Sequence, residues 1–295
     1  MAKKRLIINS DAKNEADDQY AIVHALLSPS VDIVGIVAAH FGERRSQTSM
    51  LDSRVEVDLL LELLGMVGAV TVANGAPKAM PDPQTPVDSE GAQLIIRGCR
   101  EPGPISIIFL GPLTDMASAL LLEPTIAHNN DVTVVWVGGD PYDEVNAAGL
   151  GYEYNLSNDV HAANVVFQSG IRVQQIPWTV YSMVGVGYAE LDERVAPYGA
   201  IGNYLVRQTK EFSAGDEWES EYRSLGDSPA VGVVINPSGV RWRHHLVRHF
   251  EQPGRMTNRA IEGRTVAVAD FVDVRFLLED MFAKLKAHAV VEVDL

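Results

Sequence analysis

The chain has 295 residues, of which 46% are hydrophobic and 21% charged. This composition is typical of a globular α/β protein and disfavours a fibrous, disordered or membrane protein. The formal net charge of −15 disfavours nucleic acid as a partner, because a phosphate backbone is bound by clustered cations. A small neutral or cationic ligand fits this charge better.

A single cysteine, Cys99, excludes an intrachain disulfide and a thiolate metal cluster, and is typical of a reducing compartment. The basic start of the chain is followed by an apolar run of only three residues, Leu6 to Ile8, which is too short for a signal peptide. No segment has the apolar length of a membrane span. We therefore expect a cytoplasmic protein with no membrane partner.

Hydrophobic periodicity predicts alternating strands and helices along the chain. The first unit is a strand over residues 5–9, a polar turn and a helix over 17–27. Continuous apolar or β-branched runs predict further strands at 31–39, 70–73, 105–110, 132–137, 173–176 and 265–271. Helical spacing of apolar residues predicts helices at 50–64, 198–212, 228–235 and 274–286. The alternation predicts an α/β fold, with a mainly parallel central sheet flanked by helices in a single domain over residues 1–295.

Two stretches show no such periodicity. Residues 74–87 are rich in proline and polar residues, which indicates a loop at the edge or mouth of the sheet. Residues 236–262 carry arginine, histidine and tryptophan without a clear pattern. We expect the second stretch to be a lid or a long loop region.

Acidic residues are concentrated just after the first predicted strand, where ligands bind in parallel sheets. Asp11 follows the strand, and Asp17 and Asp18 begin the next helix. Ordinary helix capping would explain Asp17 and Asp18 alone, because carboxylates are favourable in a first turn. Three acids within eight positions repel one another unless a cation offsets their charge, and Glu15 adds a fourth. Hard oxygen ligands of this kind favour Ca²⁺ or Mg²⁺.

The same stretch carries a family resemblance. INSDAKNEADDQYAIVHALL, from Ile8 to Leu27, is similar to the N-terminal signature of nucleoside hydrolases, in which Asp-x-Asp-Pro-Gly-x-Asp-Asp opens a calcium site. Asn9 stands where the first Asp is usual, and the spacer 12–16 is two residues longer than in the family. Further segments occur in the family's order, at residues 109–115, 122–124, 136–139, 153–155 and 226–229. The chain is identified as a divergent member of the inosine-uridine preferring nucleoside hydrolase family.

The resemblance implies calcium-dependent hydrolysis of the N-glycosidic bond of a ribonucleoside or related N-riboside. It implies Ca²⁺ bound by Asp11, Asp18, the Leu110 carbonyl and Asp227, with Asp11 also acting as the general base. It further implies sugar contacts from Asp17, Asn146, Glu153 and Asn155. Carboxylates beneath the ring suit this chemistry, because the sugar becomes positively charged in the transition state. We expect the protein to act on a small nucleoside-like molecule, as a homodimer or homotetramer.

One departure leaves the leaving-group acid open. The family often has His directly before the last metal-binding Asp, and this chain has Gly226 there. His40, after the second strand, is a candidate acid and ligand contact, and His244, His245 and His249 are others. For each of these histidines a surface or structural role is favoured over a catalytic one. Trp178 could stack on a base or simply pack in the fold.

Two other functions remain open at this point. Gly226 would also suit a protein that binds nucleosides or sugars but has lost turnover. An Asp-bearing loop after the first strand occurs in Mg²⁺-dependent phosphohydrolases too. That reading is less favoured, because Asn9 stands where such enzymes usually have Asp.

Overall fold

A computed structural model describes residues 3–142, 152–214 and 220–293. The strands in these residues lie close to the predicted ones wherever the prediction came from a continuous apolar run. They are β1 (Lys4–Ser10), β2 (Val31–Ala38), β3 (Val72–Asn74), β4 (Ile105–Phe109), β5 (Val132–Val137), β6 (Arg172–Ile176), β7 (Gly185–Gly187), β8 (Tyr222–Ser224), β9 (Val240–Glu251) and β10 (Arg255–Val272).

The central sheet has eight strands in the order β3-β2-β1-β4-β5-β6-β10-β9, and a small sheet pairs β7 with β8. Neighbours in the central sheet are parallel except β9 and β10, which are antiparallel. The predicted mainly parallel α/β sheet is confirmed. The strand order reverses between β1 and β4, and a crevice outside the carboxyl ends of strands at such a switch point is where ligands bind.

Helices cover both faces of the sheet. They are α1 (Asp18–Leu26), α2 (Ser49–Leu63), α3 (Glu90–Arg100), α4 (Thr114–Leu122), α5 (Tyr154–Asn158), α6 (Val160–Gln168), α7 (Trp178–Tyr181), α8 (Tyr188–Arg194), α9 (Gly199–Ser213), α10 (Ser228–Ile235) and α11 (Val274–Val293), with 3₁₀ turns at Pro124–His128 and Pro237–Gly239. Among the described residues, no helix is both long and apolar enough to cross a membrane.

Alternation along each strand divides the core into two layers. In β1, Leu6 and Ile8 face one layer while Ile7 faces the other. All three side chains are fully buried, which is why this strand reads as a continuous apolar run. In the second layer, Trp136 makes edge-to-face contacts with Phe167 and Phe250 at centroid distances of 5.4 and 6.4 Å.

The prediction of a long loop at 236–262 is wrong. Most of this stretch forms β9 and the first half of β10, a long antiparallel hairpin at the sheet edge. An edge hairpin buries few side chains, here mainly Val247, Phe250 and Met256, so its sequence lacks clear alternation. The turn of the hairpin packs on α5, where the Glu153 amide donates to the Gly254 carbonyl at 2.9 Å.

Candidate active site

The loop after β1 places the Asp11 carboxylate at the switch point of the sheet. Asp11 is 1% exposed. It is followed by a turn, in which the Asn14 backbone amide donates to the Asp11 carbonyl at 2.8 Å. Gly111, after β4, lies so close that a Cβ atom there would stand 2.6 Å from the Asp11 carboxyl carbon. The Trp136 indole donates to the Gly111 carbonyl at 3.1 Å. Only glycine allows this approach, so Gly111 fixes where Asp11 lies.

The longer spacer after Asp11 is fastened to the helices around it. The Gln19 side-chain amide donates to the Ala12 carbonyl, and that of Gln208 donates to the Ala16 carbonyl at 2.9 Å. Lys13 pairs with the buried carboxylate of Glu56 at 2.8 Å. The two extra residues therefore form an ordered loop.

The first turn of α1 brings Asp17 and Asp18 to the same place. Asp17 occupies the N-cap position, but its side chain makes no capping hydrogen bond. The Asp18 carboxylate accepts a hydrogen bond from the Ser10 hydroxyl. Asp227, at the N-cap of α10, also lacks a side-chain capping bond. Capping therefore does not explain these acids, although the positive ends of both helix dipoles face them.

The carboxylates converge on one cavity. Oxygen atoms of Asp17, Asp18 and Asp227 lie within 4.8 Å of one another, and Asp11 lines the same cavity. These three carboxylates include Asp17, for which the family resemblance implied a contact with the sugar. Asp11 lines the cavity beside the three. The predicted meeting of separate chain segments at one point is thus found.

The electrostatics of this cluster require a compensating positive charge. Burial, and then the neighbouring Glu15 and Asp18 carboxylates, raise the pKa of Asp17 to about 8. Burial also raises the pKa of Asp18 to about 6 and holds the pKa of Asp11 and of Asp227 well above the ordinary range. Asp18 and Asp227 are in hydrogen-bonding contact, which two carboxylates reach only with a proton or a cation between them.

The donor set fits a hard divalent cation. Asp11 Oδ2 is buried and has no hydrogen-bond partner among the described residues. Carboxylate and carbonyl oxygens are the ligands of Ca²⁺ and Mg²⁺. The Leu110 carbonyl also lines the cavity and accepts a hydrogen bond from the Asn155 amide at 2.7 Å. A carbonyl oxygen has two lone pairs, so this bond leaves one for a metal.

Glu153 and Asn155 line the cavity opposite the three carboxylates. Glu153 caps α5, and its carboxylate accepts from the amides of Gly139 and Leu156 at 2.7 and 2.9 Å. The Asn155 side chain spans the ends of two strands by donating to the carbonyls of Leu110 and Val137. Both residues are held rigidly at the site.

Tyr181 is a cavity residue that the sequence reasoning missed. Its hydroxyl donates to Glu153 Oε1 at 2.9 Å. Burial and the nearby Glu153 carboxylate raise the pKa of Tyr181 well above its ordinary value. A Cβ atom at Gly226 would lie 3.1 Å from the Tyr181 ring and 3.2 Å from the Asp17 carboxylate. A histidine at position 226, as the family often has, would therefore have its Cβ atom beside the Tyr181 ring. Inspection of the residues that follow every strand could have found Tyr181.

Two of the predicted ligand contacts, His40 and Trp178, do not line this cavity, and a third lies outside the described residues. His40 is fully buried; its Nδ1 accepts from the Gly42 amide, its Nε2 lies 2.8 Å from the Thr114 hydroxyl, and burial lowers its pKa to about 4. Trp178 is half-buried at the start of α7 and does not line the cavity. Asn146 lies outside the described residues. His40 thus has a structural role as a neutral imidazole.

The histidines of the hairpin lie elsewhere too. His244 lines a different cavity, and His245 stacks on Tyr142 with a centroid distance of 4.9 Å. His249 lies near the Gln168 side chain. None of the three lines the acidic cavity in the part of the chain that the structure describes.

Arginines surround the mouth of the acidic cavity. Arg45 donates to the backbone carbonyl and side-chain oxygen of Asn14 at 2.6 and 2.9 Å, and its guanidinium lies 5.2 Å from the centre of the Tyr154 ring. Arg223 pairs with Glu15 at 2.7 Å. These contacts join loops far apart in sequence, and no local motif predicts them.

A parallel sheet with clustered carboxylates at its switch point defines the protein as a candidate metal-dependent hydrolase. Residues 6–293 match the model of the inosine-uridine preferring nucleoside hydrolase family. The chain is 32% identical to the pyrimidine-specific ribonucleoside hydrolase RihA of Salmonella newport (strain SL254), with 94% of this chain and 91% of the relative covered. It is 27% identical to a probable uridine nucleosidase 2 of Arabidopsis thaliana, over 70% of this chain and 68% of the relative.

Solved structures share the fold. A plant nucleoside hydrolase superposes with a TM-score of 0.79 at 21% identity, over 96% of this chain and 99% of that chain. A purine-preferring ribonucleoside hydrolase from Gardnerella vaginalis gives a TM-score of 0.79 at 22% identity, over 98% of this chain and 100% of that chain.

The chain belongs to the inosine-uridine preferring nucleoside hydrolase family. It is a hydrolase that acts on N-glycosyl compounds. The family identification made from the sequence is confirmed. Membership argues against the phosphohydrolase alternative.

Proposed function

We propose that this protein hydrolyses the N-glycosidic bond of a ribonucleoside or related N-riboside and depends on Ca²⁺. The observation that carries the proposal is the convergence of Asp11, Asp17, Asp18 and Asp227, from the loops at β1, α1 and α10, on one cavity. A bound cation would relieve their mutual repulsion, and it would also offer coordination positions to the vicinal hydroxyls of a ribose.

We assign the metal to Asp11, Asp18, Asp227 and the Leu110 carbonyl. Calcium is preferred because the donors are all oxygens, and the set is large enough for a coordination number of about six to eight once water and sugar hydroxyls join it. The bound ion supplies positive charge that orients the sugar and the attacking water. Asp17 lies within the same 4.8 Å group and is placed either on the ion or on a sugar hydroxyl beside it.

Hydrolysis breaks the C1′–N bond while a water oxygen bonds to C1′. Asp11 accepts the proton of that water, because its Oδ2 is otherwise unpartnered among the described residues. The carboxylates below the sugar stabilise the positive charge that develops on the ring. Glu153 and Asn155 hold sugar hydroxyls. The leaving base takes its proton from solvent, since Gly226 supplies no acid.

The test is a panel of purine and pyrimidine nucleosides, assayed for released reducing sugar in the presence of Ca²⁺ or EGTA. Turnover that is lost with EGTA and restored by Ca²⁺ supports the proposal. Turnover of the same rate in both conditions contradicts the calcium assignment. Calcium-dependent nucleoside binding with no product would instead favour the binding-protein alternative, for which Gly226 is the motivating residue.

A further inference from the structure

A second cavity lies beside the acidic one and has the opposite charge. Its volume is about 490 Å³, and the polar and charged side chains that line it are Glu43, Arg44, Lys78, Ser157 and Asn158. They come from the loops after β2 and β3 and from the last turn of α5. We name these five residues the cationic cavity.

In the described parts of the chain, the two cations of this cavity have no acidic partner. Neither Arg44 nor Lys78 has a carboxylate oxygen within 4.0 Å of its nitrogens, within the part of the chain that is described, although acidic residues outnumber basic ones by 39 to 24. Both side chains are exposed to solvent. Two cations that face one cavity repel each other, so they would be stabilised by a bound anion.

Arg44 is held in place without being neutralised. Its Nη2 donates to the Ser157 hydroxyl at 2.5 Å, and its guanidinium lies 5.2 and 5.3 Å from the ring centres of Tyr152 and Tyr154. Contacts of this kind fix a guanidinium and leave its charge available. An arginine so placed is suited to bidentate binding of a phosphate.

Asn158 supplies an additional donor at the same cavity. Its side chain is 7% exposed, and its Nδ2 is buried with no hydrogen-bond partner among the described residues. A buried amide without a partner is unfavourable, and an oxygen ligand would satisfy it. Among the described residues, the exposed Glu43 is the single acid that lines the cavity, against two cations and this amide.

Helix α5 connects the two cavities. Tyr154 and Asn155 line the acidic cavity, whereas Ser157 and Asn158 line the cationic cavity. These positions differ by three or four residues, which is about one helical turn or ~5 Å. A group attached to a sugar in the acidic cavity could therefore extend along α5 into the cationic cavity.

We propose that the cationic cavity binds a phosphate group carried by the substrate, so that the preferred substrates are phosphorylated N-ribosides of the nucleoside monophosphate class. This proposal rests on the proposed function, because the ribose must occupy the acidic cavity. The anion is bound by Arg44, Lys78 and the Asn158 amide. The negative net charge of the chain does not oppose this, because charges on the surface farther away than about 8 Å are largely screened at physiological ionic strength.

The experiment compares kcat/KM for uridine and inosine with that for their 5′- and 3′-monophosphates. In the native protein we expect at least one monophosphate of each base to be favoured about tenfold or more over its nucleoside. The double variant Arg44→Gln/Lys78→Gln should lose this preference while keeping kcat/KM for the nucleosides within about twofold. Equal efficiencies in the native protein, or a preference that persists in the double variant, would overturn the proposal.

A matched control removes two exposed cations far from both cavities, Arg259→Gln/Lys286→Gln, and has the same net charge as the double variant. It should retain the preference for monophosphates. Loss of the preference in this control would show that general electrostatic attraction, and not the cationic cavity, selects the substrate.

Binding of inorganic pyrophosphate, measured by calorimetry without calcium, separates this proposal from the proposed function. If no nucleoside or nucleotide is hydrolysed, the proposed function fails, but pyrophosphate binding that Asn158→Asp abolishes would still support an anion site. Asn158→Asp keeps the side-chain shape and adds a negative charge. Absence of pyrophosphate binding to the native protein would overturn the anion site itself.

Discussion

The acidic and cationic cavities are lined by neighbouring turns of one short helix, α5, and they differ in how the chain builds them. The acidic cavity collects carboxylates from loops that directly follow β1 or directly precede α1 and α10. The cationic cavity uses Arg44 and Lys78 from longer loops, several residues beyond β2 and β3. One cavity needs a cation to be stable and the other an anion. Together they describe a site for a molecule with a diol at one end and a negative group at the other.

The largest expected effect is on the acidic cavity. Asp18→Asn removes one charge from the ligand set, so we expect kcat/KM for the best substrate to fall about a thousandfold or more, as is typical when a catalytic metal is lost. We also expect calcium to raise the Tm of the native protein, because ligand binding stabilises the folded state, and we expect a smaller rise for the variant. Asp32→Asn, at an exposed position of β2, should change neither quantity.

A smaller effect is expected when the position of Asp11 changes but its chemistry does not. Gly111→Ala places a methyl group 2.6 Å from the Asp11 carboxyl group, which is too close, so Asp11 must move. We expect kcat to fall about a hundredfold, since displacing a reacting group by ~1 Å has effects of that size. Gly187→Ala is the control, because its nearest neighbour would lie at 3.7 Å and its φ is ordinary. Equal activity of the two variants would show that Asp11 does not need this position.

Tyr181→Phe should have a modest effect confined to sugar positioning. It removes the hydrogen bond to Glu153 while leaving that carboxylate its backbone donors. One hydrogen bond of this kind contributes ~0.5–1.5 kcal/mol, so we expect kcat/KM to fall up to about tenfold, for nucleosides and monophosphates alike. Tyr222→Phe, at an exposed tyrosine outside the cavity, should leave kcat/KM unchanged. A loss restricted to monophosphates would place Tyr181 with the cationic cavity instead.

The last prediction concerns the stability of the calcium-free protein. The pKa of Asp17 is raised to about 8, above its ordinary value near ~3.9, so the folded state retains a proton that the unfolded state releases. The contribution of Asp17 to the free energy of unfolding is therefore lost as pH rises from about 4 to about 8. Urea unfolding in EGTA at pH 5 and pH 8 should show a larger decrease for the native protein than for Asp17→Asn. The same decrease in both would contradict the raised pKa.

Much of the fold and of the acidic cavity could be predicted from the sequence. The strands β1, β4 and β5 are buried on both faces and therefore appear as continuous apolar runs. Asp11 directly follows such a run and Asp18 begins the next helix, so their local positions predicted a place at the sheet's carboxyl edge. Asp227 was assigned through the family resemblance.

Other features could not be predicted because they depend on distant contacts. The sequence predicted His40 as a ligand contact, but its ring nitrogen is hydrogen-bonded to the hydroxyl of Thr114, 74 residues later. The hairpin of β9 and β10 was predicted as a loop because its inward positions carry few apolar residues. The Arg44 contacts with Tyr152 and Ser157 join segments more than 100 residues apart, which no spacing rule reaches.

The most direct test of the central claim is a calcium titration of protein first treated with EGTA, with sugar release and calcium binding followed together. We predict that activity is absent at the start and rises in proportion to the binding of one calcium ion per chain, and that Asp227→Asn abolishes both. Full activity without bound calcium, or calcium binding that Asp227→Asn leaves unchanged, would contradict the claim that these carboxylates hold a catalytic metal.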